Sequence, residues 1–153
     1  MQPRSTHHAT FVIERKYPSP PARVFAAWAD PAVKARWFSG PSSWQREGYV
    51  LDFRVGGREQ LRTGAAGGKM HRYDCVYHDI VPDSRIVYSY DMHIGEVRIS
   101  VSLATVELLP ESGGTLMRFT EQAVFLDGYD DSGARERGTQ ELLDKLGHAL
   151  EPI

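Results

Sequence analysis

Between Trp44 and Phe125 apolar residues recur at every second position, in short runs divided by turn residues, and this alternation constrains the fold more than any other feature. Leu51, Phe53 and Val55 alternate with Asp52 and Arg54. Ile86, Tyr88, Tyr90 and Met92 alternate with Val87, Ser89 and Asp91, and Val97, Ile99, Val101 and Leu103 with Arg98, Ser100 and Ser102. Successive side chains of a strand point to opposite faces, so each run predicts a strand with one buried face. Gly56-Gly57, Gly64 to Gly68, Pro82-Asp83-Ser84, His93 to Gly95 and Pro110 to Gly114 supply the turns. Connections this short leave no room for crossover helices, so the strands are antiparallel hairpins. After Leu103 the apolar phase moves to Ala104, Val106 and Leu108, which predicts a bulge bending a long strand.

Helical signals flank this block. Thr10 to Tyr17 is rich in β-branched and aromatic residues and predicts a first strand, ended by Pro18. Ser19-Pro20 has the form of a helix start, a hydroxyl cap followed by proline, and Val24 with Trp28 supplies an i, i+4 apolar pair. Asp30-Pro31 repeats the signal, with Val33 and Trp37 as the pair. From Ser132 to Leu150 one long helix is expected, with Gly138, Leu142, Leu146 and Leu150 as its stripe, Leu143 beside them, and Glu141 and Lys145 paired on the solvent side. The order predicts an α+β structure in which the closing helix lies across the concave face of a sheet. Residues 10–151 are expected to form a single domain. Residues 1–9, polar and carrying Pro3 and the pair His7, His8, are expected to form a disordered leader.

Composition narrows the function classes. A net charge of −2, with 25% charged residues of both signs, lacks the basic excess that nucleic acid or an anionic membrane favours, so neither is an expected partner. The 153 residues contain no run near the roughly 20 apolar residues of a membrane span and no apolar signal segment, and a cytoplasmic location is expected. Cys75 stands alone, which excludes an intramolecular disulfide, and it is expected to be a small buried residue.

The stretch LDFRVGGREQLRTGAAGGK invites a phosphate-loop reading, since Gly68-Lys69 fits the later positions of G-x-x-x-x-G-K-[ST]. Thr63 stands where the first glycine belongs and Met70 where the hydroxyl belongs, and a strand follows where a helix is required. Both glycine pairs are therefore corners. His71 and His78, seven apart on one strand, face opposite ways if it is regular, so no metal site and no cofactor are expected. No G-x-S-x-G elbow is present for serine catalysis. Glu121 is the exception among the polar residues, because period two places it on the face of Met117, Phe119, Ala123 and Phe125. It either anchors a ligand in an otherwise apolar pocket or sits near the strand end, exposed or salt-bridged to an arginine such as Arg98. Tyr88 and Tyr90 add hydroxyls to the inner face.

Five stretches together, PSPPARVFAAWADPAVKARWF, FRVGGRE, YHDIVPDSRIVYSY, GGTLMRFTEQ and RERGTQELLDKLGHAL, resemble the START-like SRPBCC superfamily, in the branch named for the activator of heat-shock protein 90 ATPase. The resemblance covers Thr10 to Leu150. It implies a helix-grip fold, a curved antiparallel sheet around a long C-terminal helix, with a cavity that in relatives holds lipids, hormones or polyketide-like molecules. Trp37 looks like the anchor of the second short helix on the sheet. Many members carry Gly-Trp early in the last helix, where this chain has Gly138-Thr139, which implies a smaller and more polar wall.

The expected function is binding of a small apolar or amphipathic molecule, lined by Trp37, Phe53, Tyr88, Tyr90, Phe119, Glu121, Gly138 and Leu142. A second reading is a cyclase or dehydratase with Glu121 as general acid or base, and otherwise no catalytic residue is expected. A third is a protein-interaction module like the chaperone activator. That activator carries an additional N-terminal domain which is not seen in these residues, so a chaperone is not the expected partner. Exposed strand edges would permit a homodimer.

Overall fold

The alternating runs form one sheet. The computed structural model describes residues 3–129 and 132–151. In chain order the elements are β1 (Thr6–Tyr17), α1 (Pro21–Ala29), α2 (Pro31–Trp37), β2 (Gln45–Leu51), β3 (Arg58–Gly64), β4 (His71–Val81), β5 (Arg85–Ile94), β6 (Val97–Glu111), β7 (Gly114–Leu126) and α3 (Ser132–Ala149). The seven strands stand in the order β1-β7-β6-β5-β4-β3-β2, and every neighbouring pair is antiparallel. The strands from β2 onward follow one another as a meander, and β1 closes the far edge beside β7. With two short helices after the first strand and a long helix after the sheet, this is the helix-grip fold.

Strand β1 begins at Thr6, so residues 6–9 belong to the sheet and not to a leader. They pair with Leu126, Phe125, Val124 and Ala123, and Ser5 is tied to Asp127 by a backbone bond of 2.9 Å. Met1 and Gln2 lie outside the described residues.

The helix start also differs from expectation. Pro20 is the cap of α1 and Pro21 its first residue, while Ser19 is buried and its carbonyl accepts from Thr115 Oγ1 at 2.7 Å. Proline at the first helical position loses no hydrogen bond, so two prolines in a row place the start without a side-chain cap. Asp30 serves both short helices. Its N–H closes α1 on Ala26 O, and its Oδ1 accepts from Ala32 N at 2.9 Å to open α2. Val24, Ala27 and Trp28 of α1 and Trp37 of α2 are buried, the two indoles meeting edge to face with centroids 4.8 Å apart.

Two strand expectations are corrected. The run Leu51, Phe53, Val55 is no strand beyond Leu51. Residues 52–57 form a corner in which Val55 is 58% exposed and Gly56 has φ +82°. Gly57 is required there by space, since a Cβ would lie 2.0 Å from Asp52 O. In β6 the buried residues are Ser100, Ser102, Ala104, Val106 and Leu108, in unbroken alternation, whereas Val97, Val101 and Leu103 are exposed. There is thus no phase change after Leu103. The irregularity lies at Ile99, where Met92 pairs with Ser100 but His93 pairs with Arg98.

The core lies between the concave face and the helices. Ile86, Val106, Met117 and Leu146 are 0% exposed, each contributing about 1.5–3 kcal/mol by burial. Among the described residues no helix is long and apolar enough to cross a membrane.

Candidate functional site

Helix α3 packs unevenly, and a cavity follows from that. Its C-terminal half is docked: Leu143 and Leu146 are buried, Tyr17 Oη donates to Leu143 O at 2.7 Å, and Arg15 Nε meets Asp144 Oδ1 at 3.0 Å. A Cβ on Gly147 would stand 3.2 Å from the Tyr17 ring, so helix and strand touch closely here. Toward the N-terminal half the fit opens, and a Cβ on Gly138 would meet nothing within 4 Å. A cavity of about 700 Å³ lies there, bounded by Gly138, Thr139 and Leu142 of α3 and by an aromatic wall that includes Trp28, Trp37, Tyr73 and Phe119. This volume falls within the range of small-molecule pockets.

One end of the cavity is polar. Glu121, 1% exposed, accepts at Oε2 from Tyr90 Oη at 2.6 Å and from Ser102 Oγ at 2.9 Å. Arg135, in the first turns of α3, reaches across to the sheet. Its Nη2 donates to Ser100 Oγ at 2.8 Å, and its Nη1 to Tyr90 Oη at 3.1 Å and, at 3.4 Å, to Glu121 Oε2. Four residues on β5, β6 and β7 thus converge on one helical guanidinium. Sheet register explains the meeting: Ser102 stands directly opposite Tyr90, and Ala104, opposite Glu121, is too small to separate them. Burial pushes the Tyr90 phenol up, and the Glu121 carboxylate adds to it. Burial lowers the Arg135 pKa, but the Tyr90 and Glu121 oxygens outweigh it and the net shift is upward. The cluster is a matched charge pair roofed by hydroxyls, and it can orient the polar end of a molecule whose body lies against the rings.

A second buried ion pair lies behind the aromatic wall. Lys34 Nζ of α2 is 3.1 Å from Glu59 Oε1 of β3, and Glu59 also accepts from Tyr49 Oη at 2.6 Å and Tyr77 Oη at 3.0 Å. The ammonium stands 5.0, 5.3 and 4.7 Å from the ring centroids of Trp28, Trp37 and Phe38. The wall is therefore fixed from behind by charge as well as by packing.

Of the residues the sequence singles out, Trp37, Tyr88, Tyr90, Phe119, Glu121, Gly138 and Leu142 border the cavity. Phe53 does not. It lies in the corner after β2, edge-on to Phe25 at 5.6 Å and Tyr77 at 4.9 Å. The partner of Glu121 is Arg135 and not Arg98, which pairs with Asp91 at 3.0 Å. Exposed Glu141 and Lys145 border the opening. His71 and His78 do face opposite ways: His71 borders the cavity beside Trp44, and His78 Nε2 shares a hydrogen bond of 2.7 Å with Ser89 Oγ. Cys75 is buried, and burial raises its thiol to about 12.

Sequence reasoning missed Ser100, Ser102, Arg135, Lys34 and Glu59. A signal existed for Glu59, which shares the inner face of β3 with Leu61 and Thr63 by period two. None existed for the serines, which alternate with valine and leucine in the wrong sense.

Solved structures share the fold. An uncharacterised protein of Rhizobium leguminosarum is 53% identical, with a TM-score of 0.92 over 96% of this chain and 97% of that one. The Mll3558 protein of Rhizobium loti is 47% identical, with a TM-score of 0.89 over 95% and 99%. An AHSA1-like protein of Aeromonas hydrophila, at 24% identity and a TM-score of 0.72 over 95% and 97%, shares the fold. No curated protein matches at a significant level. The model of one family, described as activator of Hsp90 ATPase homolog 1-like protein, matches residues 18–151. The chain therefore belongs to the family of activator of Hsp90 ATPase homolog 1-like proteins.

Proposed function

We propose that the chain is a binding domain for a small amphipathic molecule, held between the N-terminal half of α3 and the concave face of the sheet. The observation that carries this reading is the pairing of an aromatic cavity of about 700 Å³ with a buried polar cluster at Glu121, Tyr90 and Arg135, Ser102 bonding Glu121 from beside the cavity. Apolar walls supply affinity in such a pocket, and a few placed polar groups supply orientation. Trp37, Tyr88 and Phe119 would contact the body of the ligand, Glu121 and Tyr90 its polar end, and Gly138 and Leu142 would form the roof.

The test is native mass spectrometry of protein purified from its own host, with Gly138→Leu as the control. Wild type should carry a co-purified small molecule. The variant, whose Cβ enters open space at the cavity wall, should keep or raise its melting temperature and lose that mass. A variant that folds and carries the same molecule would overturn the placement.

A further inference from the structure

The hydrogen bonds that reach the Glu121 side chain all end on one of its two oxygens. Tyr90 Oη, Ser102 Oγ and Arg135 Nη1 donate to Oε2, at 2.6, 2.9 and 3.4 Å. Among the described residues none donates to Oε1. Packing does not seal that atom either, since Trp28 Nε1 and His93 Nδ1 are the only buried side-chain polar atoms without a partner among those residues. Glu121 is 1% exposed and borders the cavity, so the space onto which Oε1 opens is the cavity itself. A carboxylate oxygen only accepts, and an open one in a buried setting calls for a donor that the protein does not supply.

We infer, resting on the binding-domain reading above, that the cavity takes a neutral molecule whose polar end is a hydroxyl donating to Glu121 Oε1, and that it rejects carboxylates and other anionic amphiphiles. Glu121 and Arg135 set one charge of each sign at this end of the cavity. An anion would be drawn to Arg135 but would face the open oxygen of Glu121, with lone pairs opposed and no proton between them. A cation would meet Glu121 but stand beside the guanidinium. Either ion leaves water for surroundings of which only half are favourable, and desolvation then outweighs the attraction. The guanidinium is also committed to the protein: Nη1 serves Tyr90, Ser102 and Glu121, Nη2 serves Ser100, and the group lies 5.1 Å from the Phe125 ring centroid. A hydroxyl avoids these penalties. It carries no charge to desolvate, it has the proton that Oε1 lacks, and it keeps lone pairs for a donor. An ether of the same shape has lone pairs alone and leaves Oε1 bare, which costs the full price of a buried group without its partner.

The experiment is titration of the full-length protein, near neutral pH, with hydroxypyrene, methoxypyrene and pyrenecarboxylate substituted at the same ring position, in wild type, Glu121→Gln and Gly138→Leu. The three tryptophans of the chain, Trp28, Trp37 and Trp44, all border the cavity, so saturable loss of their emission reports its occupancy. Wild type should bind hydroxypyrene roughly 10- to 100-fold more tightly than either other probe, the range of one hydrogen bond to a charged group. In Glu121→Gln that preference should collapse, because the amide has an N–H to offer the ether and the lost negative charge lets pyrenecarboxylate gain through Arg135. Gly138→Leu should bind none of the three. Methoxypyrene or pyrenecarboxylate bound by wild type as tightly as hydroxypyrene would overturn the hydroxyl preference and leave the binding-domain reading standing, as would a Glu121→Gln protein that keeps the wild-type order. The wild-type order decides alone if that variant does not fold. Saturable binding of none of the probes, or undiminished binding by Gly138→Leu, would overturn the binding-domain reading and the hydroxyl preference with it.

Discussion

Lys34 Nζ and Glu59 Oε1 form an ion pair of 3.1 Å in which the lysine side chain is 2% exposed and the glutamate 0%. A pair this deep costs much to desolvate, and it persists because every group finds a partner: two phenols for the carboxylate and three ring faces for the ammonium. Its position ties α2 to β3 behind the cavity wall.

Breaking one side should therefore be worse than breaking both. Glu59→Gln or Lys34→Met alone leaves a buried charge without its counterion, a loss of about 3–5 kcal/mol. The combined Lys34→Met/Glu59→Gln change should cost well under the sum of the two single losses, because neither charge is then left. Urea unfolding of the four proteins measures this as a double-mutant cycle. Losses that simply add would mean that the two groups do not interact.

Arg135 plays a different part, joining the loosely packed half of α3 to the sheet. Arg135→Gln removes a cation from a buried carboxylate and should destabilise by about 1–3 kcal/mol. The more telling readout is local. Hydrogen exchange should quicken over the first turns of α3 and stay slow at Leu143 and Leu146, which Tyr17 and the core hold independently. Uniform loss of protection along the helix would refute this division.

The contrast between Glu121 and Arg135 shows what a sequence of this kind makes legible. Glu121 can be placed inside because it alternates in phase with Met117, Phe119, Ala123 and Phe125, and a strand offers only two faces. Its partner cannot be found the same way, because the helix register and the angle at which α3 crosses the sheet are tertiary facts. Strand β6 misleads for a related reason. The rule that apolar residues face inward fails where the interior is polar, and Ser100 and Ser102 face the Arg135–Glu121 pair while Val101 and Leu103 face outward, each 39% exposed. The strands, the paired short helices and the closing helix were legible because periodicity and proline placement are local. The wide end of the cavity was legible only as a gap in the stripe, at Gly138.

A pH dependence follows from His71 at the cavity edge. Desolvation lowers its pKa from the ordinary 6.5, so folding favours the neutral ring. The unfolded chain then binds more protons over the interval between the two values. Stability from this group is fully present above about pH 6.5 and falls as the pH drops through that interval. His71→Gln removes the term, so its midpoint of urea unfolding should decline less than that of wild type between pH 7 and 5. Parallel declines would show that His71 makes no contribution.

Gly57 and Gly138 should respond oppositely to the same substitution. At Gly57 a methyl group would collide with two backbone carbonyls, Asp52 O at 2.0 Å and Arg54 O at 2.9 Å, and neither can move without opening the corner between β2 and β3. Gly57→Ala should therefore cost several kcal/mol, on the order of the larger overpacking losses. At Gly138 the methyl group enters open space inside a helix, where alanine is favoured over glycine by about 0.8–1 kcal/mol. Gly138→Ala should raise the melting temperature, yet by narrowing the roof it should weaken retention of the proposed ligand. On the proposed function, glycine stands here because the ligand needs the space. Higher stability with undiminished ligand retention would remove that explanation.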